Sequence, residues 1–528
     1  MSIPGPRPLL PFFLVFTFAM MLAGPVRAAA PDNRWPACTA TTAIQKISFV
    51  HVSDMHARYN PEADGQTPVG RIRGFYEAVK KENPYTVFTD GGDDYEKGSV
   101  AEEFSRGRST RDVVQAMAYD VRTIGNHDFA WGLDELLRFS DDPRAVVLSA
   151  NSRLLGRDGR VSDTQPWREY AELQVGCMKI GFFGLTTRPY DAAGRQSDGP
   201  IYPDVPTLVS DYDHLSIARR IIEEHRSEVD LLVLVSHLGI TDDIRIAEAT
   251  EGIDLILGGH SHTVLDKAIQ VKGTRIVHPG ANAEFIGRFD LHYDLSRRSV
   301  ADSSYELVEN RPGVTPASAG LDGTVARILR RYRHEIEEPV ASVTKGLDRP
   351  EIAGIAALAA ISLPGVDAAF IAPHSVWQDN WQGGLLTRQD LLDTFKVERE
   401  PVGTTGTSSL YWMRVKGADL LLARQVLRDF AYAGPEEGIE AEAFYTVAMQ
   451  KGQAVRQETL FGRPISLLPP QPMAELWETV AAFGRDRWLK GLTLDGEVAT
   501  LPVGPAQSLF AGTERVPHGS DAGDQPRS

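Results

Sequence analysis

Cysteine is nearly absent from this chain, with two residues, Cys38 and Cys177, among 528. At most one internal disulfide can form, and two buried thiols are the alternative. Basic residues are also in short supply. Lys and Arg number 55 against 71 Asp and Glu, so the net charge is −16. Such a chain has no basic stripe to wrap nucleic acid. It must draw an anionic substrate by local positive charge, which bound metal ions supply. Long apolar runs are missing beyond the first thirty residues, so no later segment is expected to cross a membrane. There is no internal repeat.

The first thirty residues differ from the rest. Arg7 precedes an apolar run from Leu9 to Gly24, and Val26-Arg27-Ala28 and Ala28-Ala29-Ala30 offer small-residue cleavage sites. This pattern reads as a secretory signal peptide over 1–30, giving an exported, periplasmic or extracellular protein with no stable membrane span after cleavage. Cys38 follows Trp35-Pro36-Ala37, the wrong neighbours for a lipid anchor.

At 528 residues the chain is too long for one core, and two domains are expected. From Ile44 to Tyr293 short apolar runs alternate with segments of helical period. Expected strands are Ile47–Val52, Tyr85–Thr89, Val146–Leu148, Ile180–Phe183, Leu231–Val235, Ile253–Leu257 and Arg275–Val277. Expected helices include Arg71–Glu82, Asp112–Tyr119 and Tyr212–Glu228. This alternation argues for a layered α/β sandwich over 42–310. A polar stretch with Pro and Gly, Asn310–Gly323, marks a boundary. A charged helix over Thr324–Glu338 follows, making 311–338 a linker and bridge. A second unit spans 339–510, with an Ala-rich segment Ile352–Ile361, a strand Tyr411–Val415 and a helix Leu420–Ala431. Residues 511–528 read as a disordered tail.

Five polar segments end apolar runs in the first unit: Asp54-Met55-His56, Gly92-Asp93, Gly125-Asn126-His127-Asp128, Ser236-His237 and Gly258-Gly259-His260-Ser261-His262. Asp and His two residues apart past a strand can grip one divalent ion. A carboxylate with two oxygens can bridge two ions, which suits Asp93; Asp94 is a neighbour that could replace it. One ion would take Asp54, His56, His262 and Asp93. The other would take Asp93, Asn126, His237 and His260. Only two carboxylates then face two dications, leaving positive charge for a phosphate. Such a pair polarises phosphoryl oxygens and activates a water for in-line attack. His127 beside Asp128 reads as a catalytic pair, the imidazole handling the leaving-group proton and the carboxylate orienting it. Manganese, zinc and iron all suit these ligands. His51, His225 and His278 have no such setting and read as structural or surface residues.

With these segments in this order, the chain resembles the calcineurin-like metallophosphoesterases, and within them the exported two-domain 5′-nucleotidase family. The resemblance covers the N-terminal unit throughout and reaches the second through Gly384-Leu385-Leu386-Thr387 and Asp390–Phe395. It implies an α/β fold: a four-layer α/β/β/α sandwich followed by a smaller α+β C-terminal substrate domain. It also implies the same metal ligands, and it places His127 and Asp128 on the family's catalytic dyad. Three departures fall in the second unit. The family's Asn-x-Gly-Gly-x-Arg pattern, whose Arg helps hold the phosphate, is replaced by Ala372-Pro373-His374-Ser375-Val376-Trp377. Its Gly-Gly-Asp-Gly-aromatic turn is missing after Tyr445. Its Phe-Pro-Phe-x-Asn stretch is replaced by Phe395-Lys396-Val397-Glu398-Arg399. His374, Trp377, Trp381 and Arg399 are the candidates for an altered substrate pocket, with interdomain packing as their other role.

The expectation is an exported two-metal phosphohydrolase of a small anionic ester, with nucleotides, and so nucleotide catabolism, among the candidates. The alternatives are a cyclic phosphodiester, a nucleotide sugar or a sulfur compound as substrate, as in the thiosulfate-releasing relatives, or a metal-bearing binding protein without turnover. Oligomeric state is open.

Overall fold

Apolar residues alternate along the first strand, Ile44–Val52, and this alternation sets up the layers. Ile47 and Phe49 point into one core while Val50 and Val52 point into another. The molecule, a computed structural model, describes residues 34–39, 43–96, 98–156, 158–189, 198, 208–377, 381–395 and 409–498. The signal-peptide segment, the C-terminal tail, Lys396–Arg399 and residues 499–510 lie outside them.

Two six-stranded sheets stack face to face. The first runs Ser299–Glu309, Phe285–Asp294, Ile44–Val52, Thr86–Asp90, Val121–Thr123, Val146–Leu148. The second runs Ile269–Val271, Thr274–Val277, Leu255–Gly258, Leu231–His237, Met178–Thr186, Tyr170–Val175. Phe49, Val87, Phe182, Val233 and Leu257 fill the space between them. Helices Pro68–Glu82, Arg108–Met117 and Leu133–Ser140 cover the first sheet through Ile72, Val113 and Leu136. Helices His214–His225 and Ile240–Ala249 cover the second through Ile217, Ile221 and Ile246. This is the expected four-layer α/β/β/α sandwich. The strands from Ile44 to Leu148 are parallel, as are those from Met178 through Leu231 and Leu255 to Thr274. Their C-terminal ends open at one edge, where open α/β sheets place ligands.

His51 ties the two sheets beneath that edge. Its Nδ1 meets Thr89 Oγ1 at 3.0 Å and its Nε2 donates to the Gly258 carbonyl at 3.2 Å. Burial pushes this imidazole down to about 4, so it stays neutral and structural.

The C-terminal half has a five-stranded mixed sheet in the order Ala431–Ala433, Ala368–Ile371, Phe444–Gln450, Ser409–Lys416, Gln471–Glu475. Helices Arg349–Ile361 and Leu476–Leu489 cover one face, and Gly417–Val426 covers the other. The Ala-rich helix is longer than the Ala run because Asp348 and Glu351 form a capping box at its start.

Two expected helices are placed differently. The charged helix over Thr324–Glu338 is instead Ala319–Leu329, a 3-10 turn Arg330–Tyr332 and a short helix Arg333–Glu337. Its apolar positions Leu321, Val325 and Ile328 begin inside the polar stretch and pack with Ile72 against the first sheet. Helix Leu420–Ala431 ends at Val426, because Ala431–Ala433 is a strand paired antiparallel with Ala369–Ile371.

The halves also meet directly. Gln389 accepts from the Val100 amide at 2.9 Å and donates to the Gly98 carbonyl at 3.1 Å. Arg58 pairs with Asp393 at 2.7 Å. The Val100 side chain lies in the C-terminal core.

Cys38 and Cys177 are joined in a disulfide across 139 residues. It ties the segment before the first strand to the turn between Tyr170–Val175 and Met178–Thr186. Beside it, buried Trp35 donates its indole N–H to the Thr86 carbonyl at 2.8 Å. Opening so long a loop by Cys38→Ala/Cys177→Ala should cost about 2–5 kcal/mol of unfolding free energy. A guanidinium titration with and without reductant checks this: wild type should lose that stability on reduction and the double variant should not respond.

Candidate metal centre

All seven expected ligands lie just past, or at the end of, parallel strands at the open edge. Asp54 and His56 follow Ile44–Val52, Asp93 follows Thr86–Asp90, and Asn126 follows Val121–Thr123. His237 ends Leu231–His237, and His260 and His262 follow Leu255–Gly258. Asp54, His56, Asp93, His260 and His262 have φ between 49° and 73°, the left-handed region. Non-glycine residues rarely adopt it, and it concentrates at functional sites. The backbone there holds each loop: Asp54 N donates to the Gly92 carbonyl at 2.8 Å and His56 N to the Asp93 carbonyl at 3.0 Å. Gly92 is required in this crossing. Its φ is +86°, and a Cβ would stand 2.5 Å from the Gly125 amide.

The structure gathers the donors into two clusters. One is Asp54, His56 and His262; the other is Asp93, His237 and His260, and in each the donor atoms lie within 4.8 Å of one another. His56 Nε2 and His262 Nε2 face each other at 3.0 Å, and His262 Nε2 is 3.4 Å from Asp54 Oδ1. In the second cluster His237 Nε2 is 3.0 Å from Asp93 Oδ2 and 3.2 Å from Asn126 Oδ1. Backbone carbonyls hold the far sides of two rings: His237 Nδ1 donates to Gly91 O at 2.6 Å, and His56 Nδ1 lies 3.2 Å from Tyr95 O. Each ring thus turns Nε2 inward, the orientation a metal ligand needs. Asp54 is fixed by the Ser53 hydroxyl at 2.6 Å and by the His260 amide at 3.0 Å.

Electrostatics bind the donors as tightly as geometry does. Burial disfavours charge on Asp93, but His237 and His127 outweigh it and hold the carboxyl well below its usual range. Burial likewise works against a charged His237, yet Asp93 overrides it and raises the imidazole to about 10. His260 goes the other way, down to about 4, through burial and repulsion by His237. Inward-facing imidazoles, two carboxylates and one amide oxygen suit divalent cations, with Asp54 in one cluster and Asp93 in the other.

The catalytic pair is arranged differently from the sequence expectation. His127 does not face Asp128. Both lie in the 3-10 turn His127–Phe129, where adjacent side chains splay apart. Asp128 is buried and accepts from three amides: Gly125 N at 2.7 Å and Asp93 N at 3.1 Å on Oδ2, and Asp94 N at 2.9 Å on Oδ1. It clamps two ligand loops together. Burial, with Asp94 and Asp93 nearby, raises this carboxyl to about 8. The Nδ1 of His127 instead contacts Glu96 Oε2. The only signal of Glu96 in the sequence was an acid three residues past Asp93. Asp94 points away from the donors toward Asp90 and Arg122.

The substrate candidates do not form a set. Trp381 is a core residue, 1% exposed, with its indole donating to Thr394 Oγ1 at 2.9 Å and its ring edge-on to Phe395. Of the two roles expected for it, pocket lining or packing, it takes packing, its bulk filling the C-terminal core. His374 stands edge-on to Phe430 at 6.1 Å, and Trp377 is 37% exposed. Arg399 lies outside the described residues.

Because Asp93 raises His237 well above the ordinary imidazole range, a metal that takes its Nε2 must displace a proton. Affinity should therefore rise with pH until that proton is lost. Calorimetry of manganese or zinc binding at pH 7.5, in buffers of different ionisation enthalpy, should show proton release. His237→Ala should abolish that release.

Comparison with known proteins agrees with this geometry. Residues 47–264 match the calcineurin-like phosphoesterase family. An uncharacterized metallophosphoesterase of Bacillus subtilis, YunD, is 26% identical over 307 residues, 57% of this chain and 62% of its own length. A mouse 5′-nucleotidase is 26% identical over 248 residues, 44% of this chain and 40% of its own. The chain thus spans less than two thirds of either relative. Among solved structures, a 5′-nucleotidase precursor from Thermus thermophilus aligns with a TM-score of 0.63 at 18% identity, over 84% of this chain and 96% of that one. A Thermus thermophilus sulfate thiohydrolase, SoxB, aligns with a TM-score of 0.57 at 16% identity, over 83% and 94%. At these identities the structural likeness shows the fold, and it extends over both halves.

Proposed function

We propose, taking the calcineurin-like phosphoesterase domain at residues 47–264 as the premise, that this chain is an exported metal-dependent hydrolase of a small phosphate ester. The observation that carries the reading is the pair of buried donor clusters at one sheet edge, with His127 beside Asp93 of the second. Asp54, His56 and His262 would hold one divalent ion, Asn126, His237 and His260 the other, and Asp93 both. Bound there, the ions supply Lewis acidity to the phosphoryl oxygens and make a water nucleophilic at neutral pH.

The protein's own share is orientation and proton handling. Gly91 O and Tyr95 O fix two ligand rings, and the Asp128 clamp fixes the Asp93 and Asn126 loops against each other. His127 is partly exposed, its Nε2 is 4.0 Å from Asp93 Oδ2, and its ring stands edge-on to His56. From there it can donate a proton to the departing alkoxide.

Two observations bear on substrate and location. The phosphate-gripping pattern of the nucleotidase-like relatives is replaced at Ala372–Trp377, and Trp381 is a core residue. These favour a second reading in which the ester is a cyclic phosphodiester, a nucleotide sugar or a sulfur compound. The Cys38–Cys177 disulfide, together with the apolar N-terminal run, supports export to an oxidising compartment. No helix among the described residues is long and apolar enough to cross a membrane.

Purified protein loaded with manganese or zinc should release phosphate from 4-nitrophenyl phosphate, and a panel of nucleotides, diesters, nucleotide sugars and sulfur esters should reveal the preferred substrate. Binding two ions without turnover on any of them would overturn the hydrolase reading. His127→Ala should retain both ions while kcat drops about 10²–10⁴-fold. Asp93→Ala should lose metal from both clusters.

A further inference from the structure

We propose that Glu96, a residue with no expected role, is the positioning residue for His127. The inference rests on the proton-donor role given to His127 above. Glu96 Oε2 touches His127 Nδ1, on the side of the ring away from Asp93. Glu96 is 1% exposed and has φ 74°. A buried carboxylate on a strained backbone stays only where its surroundings hold it. They do so here. The Glu96 amide donates to Glu102 Oε1 at 2.8 Å. Glu102 is itself held by the Trp131 indole at 2.9 Å and by the Thr110 hydroxyl. On its other flank the His127 amide donates to Asp93 Oδ1 at 2.7 Å. The backbones that carry the ring and the carboxylate are thus anchored independently, and Asp128 is committed to three amides.

A carboxylate on Nδ1 keeps the proton there in the neutral ring and stabilises the imidazolium. Nε2 is thereby aimed at the reacting centre. As the water oxygen bonds to phosphorus and the ester P–O bond breaks, the leaving oxygen takes the Nε2 proton and departs as the alcohol. His127 becomes neutral and keeps its Nδ1 proton, hydrogen-bonded to the Glu96 carboxylate. The phosphate keeps the water oxygen, and the water's proton passes to solvent.

Three measurements test this. In metal-loaded protein, Glu96→Ala and Glu96→Gln should lower kcat roughly 10–100-fold, with KM and metal content little changed. The loss should be larger for alkyl phosphates, whose leaving oxygen needs a proton, than for 4-nitrophenyl phosphate. Glu96→Ala/His127→Ala should be no slower than His127→Ala, because the two residues act as a unit. Long-range 1H–15N spectra should show His127 with its proton on Nδ1 in wild type and a mixed tautomer in Glu96→Ala. Equal losses for every leaving group, or additive losses in the double variant, would overturn the proposal. So would a tautomer indifferent to Glu96. If wild type hydrolyses no ester, the functional reading falls, while the spectra still decide whether Glu96 orients His127. Asp128→Ala should instead lower metal content and thermal stability, without dependence on the leaving group.

Discussion

The open edge of the sandwich is governed by the difficulty of burying Asp54 and Asp93. Two carboxylates under a few per cent exposed would be prohibitively costly alone. Each is met by imidazole and by a backbone amide, and Asp54 by the Ser53 hydroxyl as well. The left-handed turns at five ligand positions follow from this need, because only a chain that doubles back within one residue can surround so small a volume. The glycine crossings follow too. Gly92 packs against Gly125 because a side chain at either position would separate the loops that share Asp93. His237 holds a proton it would otherwise lose, and His260 is denied one, an imbalance that dications at the same place would relieve.

Much of this could be read from the chain because its signals are local. The short apolar runs Leu231–Val235 and Ile253–Leu257 identify buried strands, and an Asp or His just beyond a strand sits at its end. The ligand positions were legible for that reason. The partner of His127 was not. Adjacency suggested Asp128, yet neighbours on a tight turn point apart, and the facing carboxylate comes from another loop 31 residues earlier. Nothing in the spacing of Asp93-Asp94-Tyr95-Glu96 announces that contact. Long-range pairing likewise misled the reading of Leu420–Ala431, where Ala431 is claimed by a strand distant in sequence. Trp381 shows a further limit, since aromatic residues line pockets and fill cores equally well.

The second half shares its fold with solved structures of the nucleotidase type. Its sheet is covered on both faces, its Ala-rich helix is capped, and the solved 5′-nucleotidase precursor overlays most of the chain. The residues that replace the arginine pattern now pack: Trp377 N donates to the Thr394 carbonyl, and His374 leans on Phe430.

Gln389 reads the backbone of Gly98 and Val100 from both sides, while the Val100 side chain lies in the opposite half's core. That segment follows Glu96 closely and is continuous with Glu102. The C-terminal half therefore braces the loop that orients the proton donor, through a peg that lies far upstream of its own first strand. Such a protein resists modular recombination. A crossover near residues 310–338 that brought in a foreign C-terminal half would deliver a socket without its peg.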